Sequence, residues 1–372
     1  LLVISKRNEP VMEAAATLPD VEHVIGQGDT KTSARLHGGI NMDVRVVPTE
    51  SYGAALQYFT GSKDHNVVMR EIAIKKGYKL NEYGLWKGER RIAGKSEEEI
   101  YKALGMKWME PELRENTGEI EAARAGKLPT LIGYDELQGD LQVQTDWTDG
   151  AASIEEMARA AKACGLKYIA ITDHTKSLTI ANGLDEKRIV KQWTEIDRVN
   201  KLLGGTFKVL KGTECDILKD GSLDFPDTIL SKLDVVGVSV HSFFNLPEAE
   251  QTARIIRAIS NPHVDILFHP TGRIIGRRAA YPVDMRAIIK EAKRTGTVLE
   301  ANALERLDLN DMHIKMCVEA GVRIAIDSDA HKPEHFTSLE YGIAQARRGW
   351  GEKKDVINAW PVTKMLGFLK KP

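Results

Sequence analysis

The fold is decided by the stretch YIAITDH at residues 168–174, in which a short apolar run ends abruptly in Asp173 and His174. Short apolar runs of this kind are typical of buried strands in parallel sheets that are covered on both faces. Polar side chains at the carboxyl end of such a strand are the usual layout of an α/β active site. A single histidine in this position is more often structural than functional, so the stretch gains its meaning from repetition.

The same pattern recurs four times further along the chain. Apolar runs end at Glu214, at His241, at His269 and at the segment DSDAH of residues 327–331. Five strand ends that each deliver His, Asp or Glu indicate a shared metal site. From Gly139 onward, predicted strands alternate with helices, which favours a parallel α/β barrel of seven strands, distorted and open.

The composition narrows the class of protein. The chain has 372 residues, which is enough for two domains. Its formal net charge of -1 gives no global signature of nucleic-acid binding, but local basic patches are compatible with this value. Its three cysteines lie far apart, which predicts a reducing, cytoplasmic compartment rather than a disulfide framework. No apolar run reaches the length of a membrane span, so we expect no membrane partner.

The first 50 residues are predicted to form a strand, a helix and paired strands. Asp43 interrupts the otherwise strand-like segment NMDVRVV at residues 41–47. Two interpretations stay open for it: a carboxylate at a solvated sheet edge, or a metal-binding carboxylate on a sheet surface.

A glycine turn followed by a helix is predicted in YFTGSKDHNVVMR, residues 58–70. Such a turn at a helix start can approach a phosphate group, but the signal alone is weak. The segment NEYG at residues 81–84 then predicts a turn.

These two segments resemble the catalytic core of the family X DNA polymerases, the relatives of DNA polymerase beta, and the resemblance covers residues 1–105. It implies an α+β remnant of a nucleotidyltransferase-type core that binds a dNTP. It also implies that Asp43 is the third catalytic carboxylate. The implied nucleotide and DNA contacts are Tyr58, Phe59 and Gly61 at the sugar, Asn66 at the minor-groove edge of the base and Arg70 at the template side.

The resemblance also implies two further carboxylates in an Asp-x-Asp pair just before Leu1. Because the chain begins within a predicted strand and without methionine, we expect a preceding portion in the parent protein. Two-metal nucleotidyl transfer, with Mg²⁺ in this family, needs all three carboxylates. We therefore expect template-directed synthesis in base excision or gap repair from the parent enzyme, and none from this chain alone.

Residues 139–372 resemble the PHP (polymerase and histidinol phosphatase) domain, a metal-dependent phosphoesterase fold. The resemblance implies a distorted (βα)7 barrel that holds two or three Zn²⁺ or Mn²⁺ ions, with Glu214 and Asp329 central to catalysis. The implied metal ligands are Asp149, His174, Glu214, His241, His269, Asp329 and His331, together with positions 142 and 144.

Positions 142 and 144 depart from the family pattern. The family motif begins His-x-His, whereas this chain has Gln142 and Gln144. An amide oxygen is a weaker metal ligand than an imidazole nitrogen, so we expect one of three metal sites to be weakly occupied or empty. Natural divergence and engineered inactivation are both compatible with the change.

The arginine-rich segment TGRIIGRR at residues 271–278 follows the His269 strand end. Because arginine matches phosphate oxygens, Arg273, Arg277 and Arg278 are predicted to grip DNA, with a solvated basic loop as the alternative.

The sequence thus predicts four parts: a palm remnant (1–50), a nucleotide-binding subdomain (51–105), a linker (106–138) and a PHP domain (139–372). The predicted function is 3′-5′ exonuclease or 3′-end processing by the PHP domain of a DNA repair polymerase, acting as a monomer on gapped DNA or 3′ ends. Two alternatives stay open: a small-molecule phosphatase of the histidinol phosphatase type, and a catalytically degraded module with a structural or DNA-docking role.

Overall fold

The computed structural model describes residues 1–369 and divides into two compact units, Leu1–Leu128 and the part of the chain from Pro129 onward. Within residues 1–369, no helix combines the length and the apolar character that crossing a membrane requires. The functional division predicted from the sequence, with its four parts, stays a prediction.

The first unit contains two small sheets and five helices. The four-stranded sheet has the order β1-β4-β3-β2, with β1 parallel to β4 and antiparallel pairing elsewhere. The three-stranded sheet β5-β6-β7 is antiparallel. The strands are β1 (Leu2–Ile4), β2 (Val21–Gln27), β3 (Lys31–Leu36), β4 (Asn41–Val47), β5 (Lys79–Asn81), β6 (Gly84–Lys87) and β7 (Arg90–Ala93). The helices are α1 (Asn8–Ala16), α2 (Tyr52–Thr60), α3 (Lys63–Lys75), α4 (Glu97–Ala103) and α5 (Glu119–Ala125).

A buried ion pair ties the end of the first unit to its core. Arg114 is fully buried, and its Nη1 and Nη2 donate to the two carboxylate oxygens of Glu97 at 2.5 and 2.8 Å. Met106, Met109 and Ile120 lie in the same apolar cluster. Residues 106–128, which begin the predicted linker, therefore pack as part of this unit.

The second unit is a seven-stranded parallel sheet, in the order β14-β13-β12-β11-β10-β9-β8. Its strands are β8 (Gly139–Val143), β9 (Tyr168–Ile171), β10 (Lys208–Asp216), β11 (Val235–Ser239), β12 (Ile266–Leu267), β13 (Val298–Asn302) and β14 (Ile324–Asp327). Its helices are α6 (Ile154–Ala163), α7 (Glu186–Leu203), α8 (Asp227–Leu230), α9 (Glu248–Ile259), α10 (Met285–Thr295), α11 (Asp311–Ala320), α12 (Leu339–Arg348) and α13 (Val362–Leu369).

The sheet nearly closes into a barrel between its first and last strands. The backbone N–H of Leu141 in β8 donates to the Asp327 carboxylate at 2.7 Å, and that of Gln144 donates to the Ala330 carbonyl at 2.9 Å. The predicted distorted (βα)7 barrel, preceded by an α+β region, is thereby confirmed.

Side chains alternate between the two faces of the barrel strands. Ile169 and Ile171 of β9 pack in the large cluster beneath the helices, whereas Tyr168 and Ala170 lie in a second apolar cluster with Trp360 and residues of the other strands. Both faces of each strand are therefore buried, which explains why the strands are short continuous apolar runs. The polar residues at their carboxyl ends are left to gather at one end of the barrel.

Candidate metal centre

The carboxylate of Glu214, at the carboxyl end of β10, lies between three imidazoles. Its Oε1 is 2.8 Å from Nε2 of His269 and 3.2 Å from Nε2 of His241, while its Oε2 is 3.4 Å from Nδ1 of His174. The Glu214 side chain is 1% exposed, so these contacts are shielded from water. Four of the five strand ends predicted from the sequence thus meet at the Glu214 carboxylate.

A second group lies on the other side of His174. Its Nε2 is 3.6 Å from one oxygen of Asp149, and Nε2 of His331 is 3.7 Å from the other. His174 contacts Glu214 and Asp149 through different ring nitrogens, so it belongs to both groups.

Neighbouring groups orient two of the imidazoles. Nδ1 of His241 donates to the Asp216 carboxylate at 2.9 Å, and Nδ1 of His331 donates to the Asp329 carbonyl at 2.8 Å. Nε2 of His241 is thereby left facing Glu214, and Nε2 of His331 is left facing Asp149. Hydrogen bonds of this kind fix the tautomer and raise the basicity of metal-ligating histidines.

Charge at the centre shifts the pKa values of its members. Burial alone would raise the pKa of Glu214, but His174 and His241 outweigh it and hold that pKa well below its usual value. Burial likewise opposes the charge of His241, yet Glu214 and Asp216 raise the pKa of its imidazole to about 10. The two residues therefore form an ion pair, and a metal ion that binds there displaces the proton of His241.

The two remaining imidazoles differ from each other. Burial disfavours the charge of His331, but the nearby Asp149 carboxylate and the charge of Asp329 raise its pKa to about 9. For His269, burial and then the nearby Arg306 guanidinium lower the pKa to about 4. His269 is therefore neutral at pH 7 and offers a free lone pair.

The two glutamines lie inside the barrel mouth, as the strand pattern predicts for positions that share a face. Nε2 of Gln144 donates to Glu214 at 2.8 Å, and Oε1 of Gln142 accepts from Asn302 at 3.2 Å. Asn302 also donates to Asp329 at 3.2 Å. Amide groups thus hydrogen-bond two of the predicted metal-binding carboxylates directly.

Two groups of side chains fit a divalent metal. They are Asp149, His174 and His331, and His174, Glu214 and His241, and in each group the candidate ligand atoms lie within 4.8 Å of one another. Nδ1 atoms of His174 and His269 are buried and have no hydrogen-bond partner within residues 1–369, which is costly without a ligand. A mixed His and carboxylate donor set suits Zn²⁺ or Mn²⁺.

The three predicted phosphate-gripping arginines differ in their contacts. Arg273 donates from Nε to the Arg306 carbonyl at 2.8 Å, and Arg278 donates to the Gly272 carbonyl at 2.7 Å, so both support loop backbone. Arg277 is 72% exposed and lies 3.3 Å from Glu305. Of the three, Arg277 is the one whose side chain faces solvent most fully.

A cavity of 720 Å³ lies on the loops that follow His241 and His269, and it is lined by aromatic and cationic side chains. The Phe243 side chain is 52% exposed. Its backbone φ of 56° is unusual for a bulky residue. The Arg278 guanidinium lies 4.2 Å from the centre of the Phe244 ring, and Lys219 lies 5.4 Å from that of Phe243.

In the first unit, Asp43 lies on β4 with its side chain 55% exposed. It lies 2.9 Å from Lys31 and accepts from Ser33 at 2.5 Å. The Ser33 and Lys31 hydrogen bonds lower the pKa of Asp43 in spite of a small opposing burial effect. Asp43 is therefore an accessible, ionised carboxylate.

The predicted nucleotide-binding residues gather where α2 meets α3. The rings of Tyr58 and Phe59 pack edge to face at 5.0 Å, and Nδ2 of Asn66 donates to the Tyr58 carbonyl at 2.8 Å. Gly61 ends α2 with a φ of 78°, a backbone conformation that favours glycine. Arg70 is exposed on α3. Their roles in nucleotide or DNA binding stay predictions.

Sequence reasoning missed three members of the barrel site. Asp216 follows Glu214 by two residues within β10, and Glu300 interrupts the apolar strand β13, so the strand pattern could have found both. Arg306 gives no such signal, because it lies in a loop, yet its Nε is 3.3 Å from Asp329.

Two sequence families match the chain. Residues 55–115 match the DNA polymerase beta thumb, and residues 140–337 match the PHP domain, more than half of the chain. Both resemblances predicted from the sequence are thereby confirmed.

Curated relatives agree with these matches. The chain is 42% identical over 97% of its length to the DNA polymerase/3′-5′ exonuclease PolX of Bacillus subtilis, and it spans 64% of the length of that relative. It is also 32% identical to a probable phosphatase of Thermoanaerobacter sp., over 59% of this chain and 88% of that protein. A crystal structure of Leishmania infantum polymerase beta matches 29% of this chain and 51% of that one at 29% identity, with a TM-score of 0.24.

Proposed function

Because the chain belongs to the family X DNA polymerases that carry a PHP domain, we propose that its barrel hydrolyses phosphodiester bonds at 3′ ends of DNA. The observation that carries the proposal is Glu214, whose two oxygens face three imidazoles, one of which, His174, also belongs to the second candidate metal group. The name of the Bacillus relative includes 3′-5′ exonuclease activity, which supports the same reaction here.

The first candidate group, Asp149, His174 and His331, would hold one metal ion, and the second, His174, Glu214 and His241, would hold another beside His269. When bound, Zn²⁺ or Mn²⁺ lowers the pKa of water and neutralises phosphate charge. The residues of the chain prepare this site. Asp216 holds His241 with its Nε2 towards Glu214, and the Asp329 carbonyl holds His331 with its Nε2 towards Asp149.

The surface beside the centre favours a nucleic acid over a small phosphate ester. The loop after β10 carries Lys219, and the loops after β11 and β12 carry the exposed Phe243 ring and Arg278. Aromatic faces stack on bases, and cations attract the phosphate backbone. We propose that the enzyme acts on DNA as a monomer in the cytoplasm. Arg277, the most exposed of the three arginines, is the one best placed to contact a phosphate of the substrate.

For the first unit we infer a role in the polymerase reaction of the parent protein. Asp43 would contribute one carboxylate to a Mg²⁺ site, and the α2–α3 junction would bind a dNTP. The exposure of Asp43 and the clustering of Tyr58, Phe59 and Asn66 support this assignment.

The hydrolytic function is tested by comparing two substrates. With saturating Mn²⁺, we expect the chain to shorten a single-stranded oligonucleotide from its 3′ end faster than it hydrolyses histidinol phosphate. Glu214→Gln should lower the rate by at least about 100-fold, because the carboxylate that faces three imidazoles loses its charge. Glu319→Gln on the exposed face of α11 serves as the matched control and should leave the rate unchanged.

Faster hydrolysis of the monoester would favour a phosphatase instead. Unchanged DNA cleavage in Glu214→Gln would contradict the assignment of the centre.

A further inference from the structure

The loop between β13 and α11 inserts a cation into the barrel mouth. The Arg306 side chain is 16% exposed, and its Nε lies 3.3 Å from Oδ2 of Asp329. Arg273 holds the loop in place by donating to the carbonyls of Arg306 and Leu307. Asp308 in the same loop accepts from the backbone N–H of Thr271 at 2.9 Å. The position of Arg306 is therefore built by several independent contacts.

Arg306 meets a group of buried carboxylates. Glu214, Glu300 and Asp329, whose charges act on its guanidinium, are all at most 4% exposed. Buried carboxylates are costly unless a cation or hydrogen-bond donors compensate them. For Glu214 and Asp329 the compensation comes from the chain itself: the guanidinium faces Asp329, Gln144 donates to Glu214, and Asn302 donates to Asp329.

The residues at this place do not fit a metal ion. Gln142 and Gln144 offer neutral amides, and the amide nitrogen of Gln144, a donor rather than a ligand, faces Glu214. A guanidinium stays charged throughout the accessible pH range and would repel a divalent cation beside Asp329.

We propose that Arg306, together with Gln142 and Gln144, replaces a third metal ion, so that the centre holds two ions beside one fixed guanidinium. The inference rests on the metal-dependent function proposed above. A guanidinium can balance charge and donate to a phosphate oxygen, but it cannot activate water as a metal does. Nη1 of Arg306 is buried and has no hydrogen-bond partner within residues 1–369, so one donor of the guanidinium is left unpaired beside Asp329.

The test counts bound ions and needs no catalysis. Four proteins are loaded with Mn²⁺ alone and freed of excess metal, and the bound Mn²⁺ is then counted by inductively coupled plasma mass spectrometry. They are the wild type, Gln142→His with Gln144→His, Arg306→Gln, and the combination of all three substitutions. We expect about two ions in the first three proteins, and a third ion only in the triple variant, which has both the imidazoles and the vacated space.

A third ion in the wild type or in the double-histidine variant would overturn the proposal, as would two ions in the triple variant. No ions in any of the four would contradict the metal-dependent function itself, which separates the two failures. Arg306→Gln removes the cation that faces the buried carboxylates, so it should cost stability. Arg306→Lys, combined with the two histidine substitutions, therefore serves as a control that should fold. It keeps the charge, so the double-histidine variant with Arg306→Lys should still bind about two ions.

Discussion

Single residues decide how the centre takes up metal, because His241 and His331 are held as cations in its absence. Their pKa values are raised to about 10 and about 9, although burial opposes the charge. Below these values each ring carries the proton that a metal must displace. The apparent affinity for metal should therefore fall as the pH decreases below about 10, and more steeply below about 9, where both rings are protonated.

We predict the release of about two protons per centre when Mn²⁺ binds at pH 7, which corresponds to roughly a hundredfold loss of affinity per pH unit. Calorimetric titrations in buffers with different ionisation enthalpies measure this number. His241→Gln should release about one proton fewer. His263→Gln, at a histidine outside the cluster, should behave as the wild type. A heat of binding that does not depend on the buffer would contradict the protonated state.

The sequence reveals side chains that continue a strand pattern and hides those that depend on distant contacts. His174, Glu214 and His241 were predictable because each ends an apolar run that is buried on both faces. Arg306 was not, since its place depends on a loop held by Arg273, 33 residues earlier in the chain. No local periodicity encodes such a contact.

Among the helices and strands, too, some features follow from the local sequence pattern and others depend on distant contacts. The parallel strands followed from their continuous apolar runs, and Gly237 within β11 follows from packing, because a Cβ there would lie 1.8 Å from the Phe268 ring. The predicted linker hid the buried Arg114, whose partner Glu97 lies in α4. An ion pair across 17 residues leaves no trace in the hydrophobic pattern.

At the scale of elements, the loop after β11 should contribute to substrate binding rather than to chemistry. Phe243→Ala removes an exposed ring, so we expect weaker binding of single-stranded DNA by about 5- to 100-fold, in the range of one base stack. Fluorescence anisotropy with a labelled oligonucleotide measures the dissociation constant. Tyr341→Ala, at an equally exposed ring on α12, should leave it unchanged. Equal effects of both substitutions, or none from Phe243→Ala, would exclude the loop from the DNA-binding surface.

At the scale of the whole molecule, the two compact units should respond differently to metal. The carboxylates and imidazoles of the centre all belong to the barrel, and residues 1–128 have a separate core built around Met69, Leu85 and Tyr101. A ligand that binds only the folded state stabilises it, by about 2.7 kcal/mol at a hundredfold excess over its dissociation constant. This stabilisation belongs to the unit that contributes the ligands.

We therefore predict that chelating the metal accelerates amide hydrogen exchange in the barrel and leaves the first unit unchanged. The buried carboxylates around Glu214 lose their counter-ions, so strands β9, β10 and β11 open more often, whereas α3 and β6 keep their protection. Exchange followed by mass spectrometry, with and without EDTA, measures both units in one sample. Glu214→Gln should show little response to EDTA, since its metal affinity is already reduced. Equal acceleration in both units would mean that metal stabilises the chain as one cooperative body, and the barrel centre would then not be the source of the effect.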